Sequence, residues 1–386
     1  MSQLQKRLDR WESEIYNNLP QGWKFVKSQF LLSRMTRPKL DTDEIVTVFR
    51  NGEVTLRSNR RTDGFTTSEK EIGYHHVEPG DLAIHKMDGG FGAIGISDSE
   101  GKVSPVVNLY QSAYCDLRYV KYFLLATASS GYIKSLQKGI RERSVEFDHA
   151  RFSNFYIPFP TREEQERIAN YLDAETAQID ELVAELDSYI RLSELRKNKI
   201  IRRTLNTAES TTKPIFTIAS INSGDVIPGE DIQDSGPYPV FGGNGLRGYT
   251  DKNNQTADRV LIGRQGALCG NVHLAKGPLF ASEHALVVSP IDDADINLNW
   301  LALTLSALEL GHLSQASAQP GISASEVLRQ RIPDVSLERQ DEIAEQTTTE
   351  ISKISAMAAA CQELRELLVK RRQVLITDVV TGKVEV

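Results

Sequence analysis

"IPFPTREEQERIANYLDAETAQIDELV" (Ile157 to Val183) has a counterpart in "IPDVSLERQDEIAEQTTTEISKISAMA" (Ile332 to Ala358), 175 residues further along the chain. At that single offset Ile157-Pro158 falls on Ile332-Pro333, Gln165 on Gln340, Ile168-Ala169 on Ile343-Ala344, and Arg196-Lys197 on Arg371-Arg372. An offset held constant over about 45 residues marks an internal duplication.

Both copies carry a helix-start signal. Thr161 followed by Glu164 forms a capping box, in which the Thr oxygen accepts an early amide and the carboxylate reaches back. Ser336 keeps the cap of the second copy, but Arg339 stands where the carboxylate would be, which predicts a weaker cap.

Beyond the caps, Leu172, Ile179 and Leu186 recur every seven residues, with Leu182 and Tyr189 filling the adjacent row of the seam. Ile354, Cys361, Leu368 and Leu375 repeat at the same interval. Seven-residue spacing keeps one apolar stripe facing a partner helix, as in a coiled coil. A helix of about 40 residues rises roughly 60 Å, too long for one small domain to bury. The two helices are expected to bury their stripes against each other, antiparallel because a globular segment separates them. Homodimeric coiled coils are the alternative.

The intervening regions hold short Val/Ile/Phe-rich segments such as "EIVTVF" (44 to 49), "DLAIH" (81 to 85), "RVLIG" (259 to 263) and "HALVVS" (284 to 289), broken by Gly and Asp turns. They predict twisted sheets. One helix per region is expected, in 117–137 and in 298–315. The fold class is therefore α/β (α+β): two globular domains joined by two long helices in a pseudo-twofold internal repeat. The boundaries read as 1–157 for an N-terminal segment and first domain and 158–207 for the first long helix. The second domain follows at 208–333, and the second long helix with its tail at 334–386.

With 386 residues, 40% hydrophobic and 25% charged, the chain has the composition of a folded soluble protein. No run reaches the roughly 18 to 20 apolar residues that cross a bilayer, and the first 20 residues lack a secretory pattern. No membrane association and a cytoplasmic location are the expectation. Cys115, Cys269 and Cys361 are too scattered for a metal cluster or a disulfide framework. The formal charge of -7 gives no whole-chain support for nucleic-acid binding, which would need locally basic surfaces.

Further motifs carry a resemblance. "LPQGWKFVK" (19 to 27) opens the first region, with "KMDGGFGAIGI" and "GKVSPVVNLY" at its centre. "YPVFGGNGLRGYTD" (238 to 251), "VLIGRQGALCGNVHLAKGPLFASEHALVV" (260 to 288) and "QPGISASEVLRQRIP" follow in the second. In this order, with the duplicated helices, the sequence resembles the DNA-specificity (S) subunits of type I restriction-modification systems over nearly the whole chain. The first region lacks the "PVFGGNG" form of the second, an asymmetry that fits recognition of two unlike half-sites.

The resemblance implies two target-recognition domains, each reading one half of a split sequence in double-stranded DNA, with a coiled coil setting their separation. The segment 3–20 would pack with the C-terminal region. Two modification (methyltransferase) subunits would dock and transfer methyl groups from S-adenosylmethionine. Two restriction/translocation subunits, using ATP and Mg, are optional further members. An isolated chain could also pair with a second copy of itself through the coiled-coil face.

No catalytic, cofactor or metal site is predicted in this chain. It lacks GxxxxGK[ST] and Asn/Asp-Pro-Pro-Tyr motifs; the GxGxxG spacing within "GGFGAIG" (89 to 95) is not followed by a convincing helix, and the glycines of "GGNGLRG" (242 to 248) read as shaping a turn. The adjacent His75 and His76 point in different directions and make no metal site by themselves. As DNA-binding candidates, Gly-rich turns bearing Arg, Lys, Gln, Asn and Ser combine close approach with paired hydrogen bonding. They are Lys86, Ser104, Arg141 and Arg143 in the first domain and Asn244, Arg247, Arg264 and Gln265 in the second. Aligning "HKMDG" with "GRQG" sets Lys86 opposite Arg264. Solvation of a turn is the other reading for Lys86, and a structural hydrogen bond or ion pair the other for Arg264. The basic runs 191–203 and 370–372 can follow phosphate, meet an acidic partner or be plain exposed faces. A non-catalytic DNA-specificity subunit is the leading reading. The alternative is a DNA-recognition or structural adaptor in another phage-defence complex, and a self-contained nuclease or methyltransferase ranks third for want of motifs.

Overall fold

The computed structural model describes residues 19–60, 71–135, 147–206, 211–266, 268–291, 294–314 and 321–386. The chain divides into two compact units, Met1–Glu185 with Leu364–Val386, and Leu186–Glu363. Both are mixed α/β.

In the first unit the strand Tyr156–Phe159 pairs antiparallel with Lys24–Lys27, setting Ile157 opposite Val26. In the second, Arg331–Pro333 pairs with Thr212–Pro214, setting Ile332 opposite Lys213. The duplicated Ile-Pro element is thus the last strand of each domain, tied back to its first. Ile157 and Ile332 are fully buried, which anchors the start of each long helix to its domain.

Each unit has a four-stranded antiparallel sheet. The first runs Ser33–Met35, Val107–Gln111, Leu82–His85, Ile94–Ile96. The second runs Ala219–Ser223, Ala285–Pro290, Arg259–Gly263, Val272–Ala275. Both follow the same chain order: first, fourth, second, third. Side chains alternate between faces along a strand. Leu82, Ile84 and Tyr110 enter a core shared with the helix Leu117–Ser130, while Ala83 and Leu109 join Val46, Val54, Val77 and Val103 on the other face. The second sheet divides likewise: Val260, Ile262, Leu286 and Val288 meet Trp300 and Leu301 of the helix Leu298–Ala307, and Leu261 and Val287 meet Leu279 and Ala281. Burial on both faces explains the unbroken apolar runs "LAI" and "VLI".

The domain helices are stopped and started by short-range chemistry. Asp116 caps Leu117–Ser130 by accepting the Arg118 amide, and Gly131, at φ 84, ends it where a side chain would be strained. Asn297 caps Leu298–Ala307 through the Trp300 amide at 3.0 Å.

The long helices span Arg162–Arg202 and Leu337–Val380. The first is entered through the expected capping box: the Thr161 amide donates to Glu164 at 2.9 Å and the Glu164 amide to Thr161 Oγ1 at 3.3 Å. At the second, Ser336 Oγ accepts the Arg339 amide at 3.4 Å, while the Arg339 guanidinium turns to Glu342. The two helices pack against each other. Within the first unit Ile168 and Leu172 share a core with Ile376, Val379 and Val380. There Asp180 holds Arg372 at 2.8 and 3.0 Å, and Arg167 donates to the Val386 carbonyl; partners running oppositely in number make this pairing antiparallel. Within the second unit Arg203 lies 3.8 Å from Glu350.

One part of the expected seam is corrected. Leu172 and Ile179 are buried and Leu186 half-buried, but Leu182 and Tyr189 are 47% and 43% exposed. The accompanying row is Thr176, Val183 and Ile190. A seven-residue repeat alternates steps of four and three, and Leu172, Ile179 and Leu186 are each followed by the step of four. Leu182, three after Ile179, turns to the outside. On the second helix Ile354, Cys361, Leu368 and Leu375 are half-buried.

Most of the segment 3–20 lies outside the described residues. Pro20 sits directly against Gly382, and Trp23, Leu375 and Val386 pack on one core.

Candidate nucleic-acid interface

In the second unit a hairpin pairs Tyr238–Gly242 with Gly245–Thr250. Its turn, Gly243-Asn244, lies on the end of the four-stranded sheet: a Cβ on Gly243 would come within 3.1 Å of the Gln265 and His284 carbonyl oxygens. Glycine is needed here for close backbone approach. Asn244 is exposed at the tip, and Arg247, also exposed, lays its aliphatic stem across Gly242. Arg264 follows the strand end at Gly263 and donates to Ser223 Oγ at 2.9 Å, its other N–H groups having no partner among the described residues. Gln265 beside it is exposed. All four candidates of this unit therefore fall in one neighbourhood.

In the first unit Lys86 also follows a strand end, at His85. Its Nζ donates to the Pro105 carbonyl at 2.7 Å, which brings it beside Ser104, half-buried in the turn before Val107–Gln111. Arg141 and Arg143 lie outside the described residues.

Lys86 and Arg264 occupy equivalent positions. The Lys86 amide donates to Val106 and the Arg264 amide to His284, each just beyond the last strand pair. The Lys86 carbonyl accepts the Phe147 amide and the Arg264 carbonyl accepts that of Ile322. Phe147 and Ile322 are 175 residues apart, as are Asp148 and Ser323, which cap the short helices His149–Ser153 and Ala324–Leu328. The duplication thus begins about ten residues before the Ile-Pro element.

Several polar groups at these ends were not among the DNA-binding candidates of the sequence. The His273 ring lies 3.3 Å from where a Cβ of Gly245 would be, and burial lowers its pKa, keeping it neutral. His284 faces Glu283 at 3.2 Å. In the first unit, burial and then the charges of Arg34, Lys86 and Arg37 lower the pKa of His75, against a hydrogen bond that its ring donates to the Gly73 backbone. Arg37 is held by Asp81 at 2.7 Å and Glu78 at 3.0 Å. Arg34 is exposed and pairs with no carboxylate among the described residues. These residues are distant in the chain, so no local motif announces them.

The long helices have an outer apolar row besides the seam. Leu182, Tyr189 and Leu192 are exposed on the first, and Met357, Leu364 and Leu367 on the second. Each trio maps onto the other at the offset of 175. Exposed, repeated apolar rows of this kind are suited to protein partners.

Among the described residues no group of three His, Cys, Asp or Glu is placed to hold a metal ion, and no helix is long and apolar enough to cross a membrane. Cys115 is a buried free thiol whose pKa is pushed up by burial; Cys269 and Cys361 are free and half-buried.

Comparison with known proteins agrees with this arrangement. The family described as "Type I restriction modification DNA specificity domain" matches residues 194–364. The Escherichia coli "Type I restriction enzyme EcoprrI specificity subunit" is 36% identical over 163 residues, which cover 40% of this chain and 40% of that protein. The match thus spans about two fifths of the relative's length. Among solved structures, a chain from a study of complex assembly and conformational transition in a type I R-M system superposes with a TM-score of 0.75 at 15% identity, covering 95% of this chain and 100% of the other. The S subunit from M. genitalium gives 0.51 at 17% identity, covering 94% and 96%. At such identities these two speak for the fold alone. Repeated domains closed by Ile-Pro strands and duplicated long helices accompany a match of residues 194–364 to the type I restriction modification DNA specificity domain, and the chain is similar to type I specificity subunits.

Proposed function

We propose that this chain is the sequence-specific, non-catalytic DNA-recognition subunit of a type I restriction-modification complex. The target-recognition domains are 1–157 and 208–333, each reading one half of a split target, with the helices of 158–207 and 334–386 forming a coiled coil that sets the number of unread base pairs. The observation that carries this reading is the equivalent placement of Lys86 and Arg264 at the same strand end of two matching sheets. A cation beside a glycine-lined turn can meet phosphate or present paired donors to a base edge. Ser104, Asn244, Arg247 and Gln265 surround these positions, and Arg141 and Arg143 belong to the same proposed set.

The duplicated outer row of the helices supports two copies of one partner, which on this reading are two modification subunits carrying S-adenosylmethionine. Restriction subunits using ATP and Mg can join them. An isolated chain would use the same rows to pair with itself. A cytoplasmic location goes with this function. A formal charge of -7 leaves part of the DNA-neutralising charge to the partners.

The test is a genome-wide map of methylated adenines with this gene present and with it deleted, the modification partner being retained. Loss of methylation at one split motif on deletion is the expected result. Unchanged methylation would overturn the reading in favour of a recognition or adaptor role in another phage-defence complex.

A further inference from the structure

We propose that Arg34 is a DNA-phosphate contact peculiar to the first unit, with no counterpart in the second. This rests on the reading of the chain as a DNA-recognition subunit and deepens it. The two sheets are equivalent strand for strand. Ala83 and Leu109 correspond to Leu261 and Val287, since each pair faces the inner core of its sheet and stands the same number of residues from Lys86 or Arg264. In the same register Asn108 and Tyr110 correspond to Leu286 and Val288. Arg34, paired with Tyr110, corresponds to Ile221, paired with Val288. The first residues of the short capped helices, His149 and Ala324, correspond as well.

The second unit fills these places with apolar side chains: Ile221, Leu286 and Val288 are core residues and Ala324 packs against them. The first unit has Arg34, Asn108, Tyr110 and His149. The fold does not require polarity there, because its own second copy does without it. The polar set is also costly: Asn108 is 1% exposed and its Oδ1 has no hydrogen-bond partner, the kind of buried orphan that needs an explanation outside packing.

The set is arranged to support one cation. Tyr110 is buried and its hydroxyl lies 3.2 Å from His149 Nδ1, with the two rings stacked at 5.9 Å. Burial raises the Tyr110 pKa, so the phenol keeps its proton. Burial, and next the charge of Arg34, lowers that of His149, against the nearby Asp148. A neutral imidazole can accept the phenol proton at Nδ1. Arg34, directly across the strand pair from Tyr110, shares that face. Its charge reaches His75 together with that of Lys86, so it belongs to the field of the candidate reading end. Arg37 is neutralised by Asp81 and Glu78, whereas Arg34 has no carboxylate partner among the described residues. A guanidinium with no carboxylate partner among the described residues, beside other cations and donors, matches an oxyanion better than the mixed donors and acceptors of a base edge.

The test uses the full chain purified with its modification partner and a duplex bearing the split target, with affinity measured over a range of KCl concentrations. Arg34→Ala should bind about tenfold more weakly, equally for target and non-target duplexes, with the slope of log affinity against log salt reduced by about 1. Arg34→Lys, which keeps the charge, should retain the wild-type slope and so excludes misfolding as the cause. Unchanged affinity and slope in Arg34→Ala would overturn the assignment while leaving the recognition reading intact. Relaxed preference at one base pair, without a change in slope, would also overturn it, making Arg34 a base reader. Failure of the wild-type complex to prefer the target would instead bring down the recognition reading and this inference with it.

Discussion

Gln165 accepts the backbone N–H of Asp116 on its Oε1 at 2.9 Å. Its Nε2 donates to the Pro160 carbonyl at 2.9 Å, so one buried side chain ties the closing strand, the long helix and the capped domain helix together. Gln340 repeats the arrangement, accepting from Asn297 at 3.0 Å and donating to Val335 at 3.2 Å. Removing a buried partner strands both groups it satisfied, at about 1–3 kcal/mol. Gln165→Ala and Gln340→Ala should each lower the urea midpoint by that amount in stability. A loss below about 0.5 kcal/mol, typical of surface changes, would show that the joint is not structural.

How much of this was legible from sequence depends on how well spacing survives. From Phe147 and Ile322 onward the offset stays at 175, so Gln165 and Gln340, the caps and the long helices could be matched by counting. Upstream it becomes 178 between Lys86 and Arg264 and 187 between Val26 and Lys213, because loops of different length separate the strands. The motifs "HKMDG" and "GRQG" still set Lys86 opposite Arg264, but only strand pairing matches Val26 with Lys213. The seam was half legible: Leu172, Ile179 and Leu186 define one row, but a single row leaves open whether the other lies three or four residues later. Burial of Thr176 decides for four. Arg34, Tyr110 and His149 meet only through strand pairing and helix placement, so no periodicity could have joined them.

The two helix entrances should respond differently to acid. The Thr161 amide, then the Thr161 hydroxyl, hold the Glu164 carboxyl below its ordinary pKa despite partial burial. A depressed acid contributes stability that is complete above its unfolded value of about 4.3 and is lost as pH falls through the lower folded value. Hydrogen-exchange protection at 162–165 should therefore differ between wild type and Glu164→Ala at neutral pH and converge below about pH 4. Ser336→Ala removes a neutral cap, so its effect on 337–340 should not vary over that window. A Glu164→Ala effect that persists undiminished in acid would contradict the charged cap.

Inner and outer rows of the helices should separate stability from assembly. Ile179 is 5% exposed, and Ile179→Ala should cost about 2–5 kcal/mol by opening a cavity. Leu182→Asn with Tyr189→Asn should change stability by less than about 1 kcal/mol, both side chains being largely exposed. On the proposed function, the double variant and its counterpart Met357→Asn with Leu364→Asn should each weaken binding of one modification subunit. Mass measurement of the purified complex checks this. Two full copies retained in both double variants would remove the outer rows from the partner interface.

Arg264 provides the sharpest check on the reading end. Among the described residues its guanidinium makes one bond, to Ser223, and its backbone is held from both sides by His284 and Ile322. Replacing the side chain should leave that backbone in place, since neither bond involves it. Arg264→Ala is therefore expected to fold and assemble as wild type while binding DNA at least about tenfold more weakly, the loss of a charged hydrogen bond. A paired contact to a base would confine the loss to targets carrying that base, whereas a phosphate contact would weaken all duplexes and lower the salt slope by about 1. Matched affinity between variant and wild type at equal salt would leave Arg264 with only the structural bond to Ser223, and would shift the expected reading contacts to Asn244, Arg247 and Gln265.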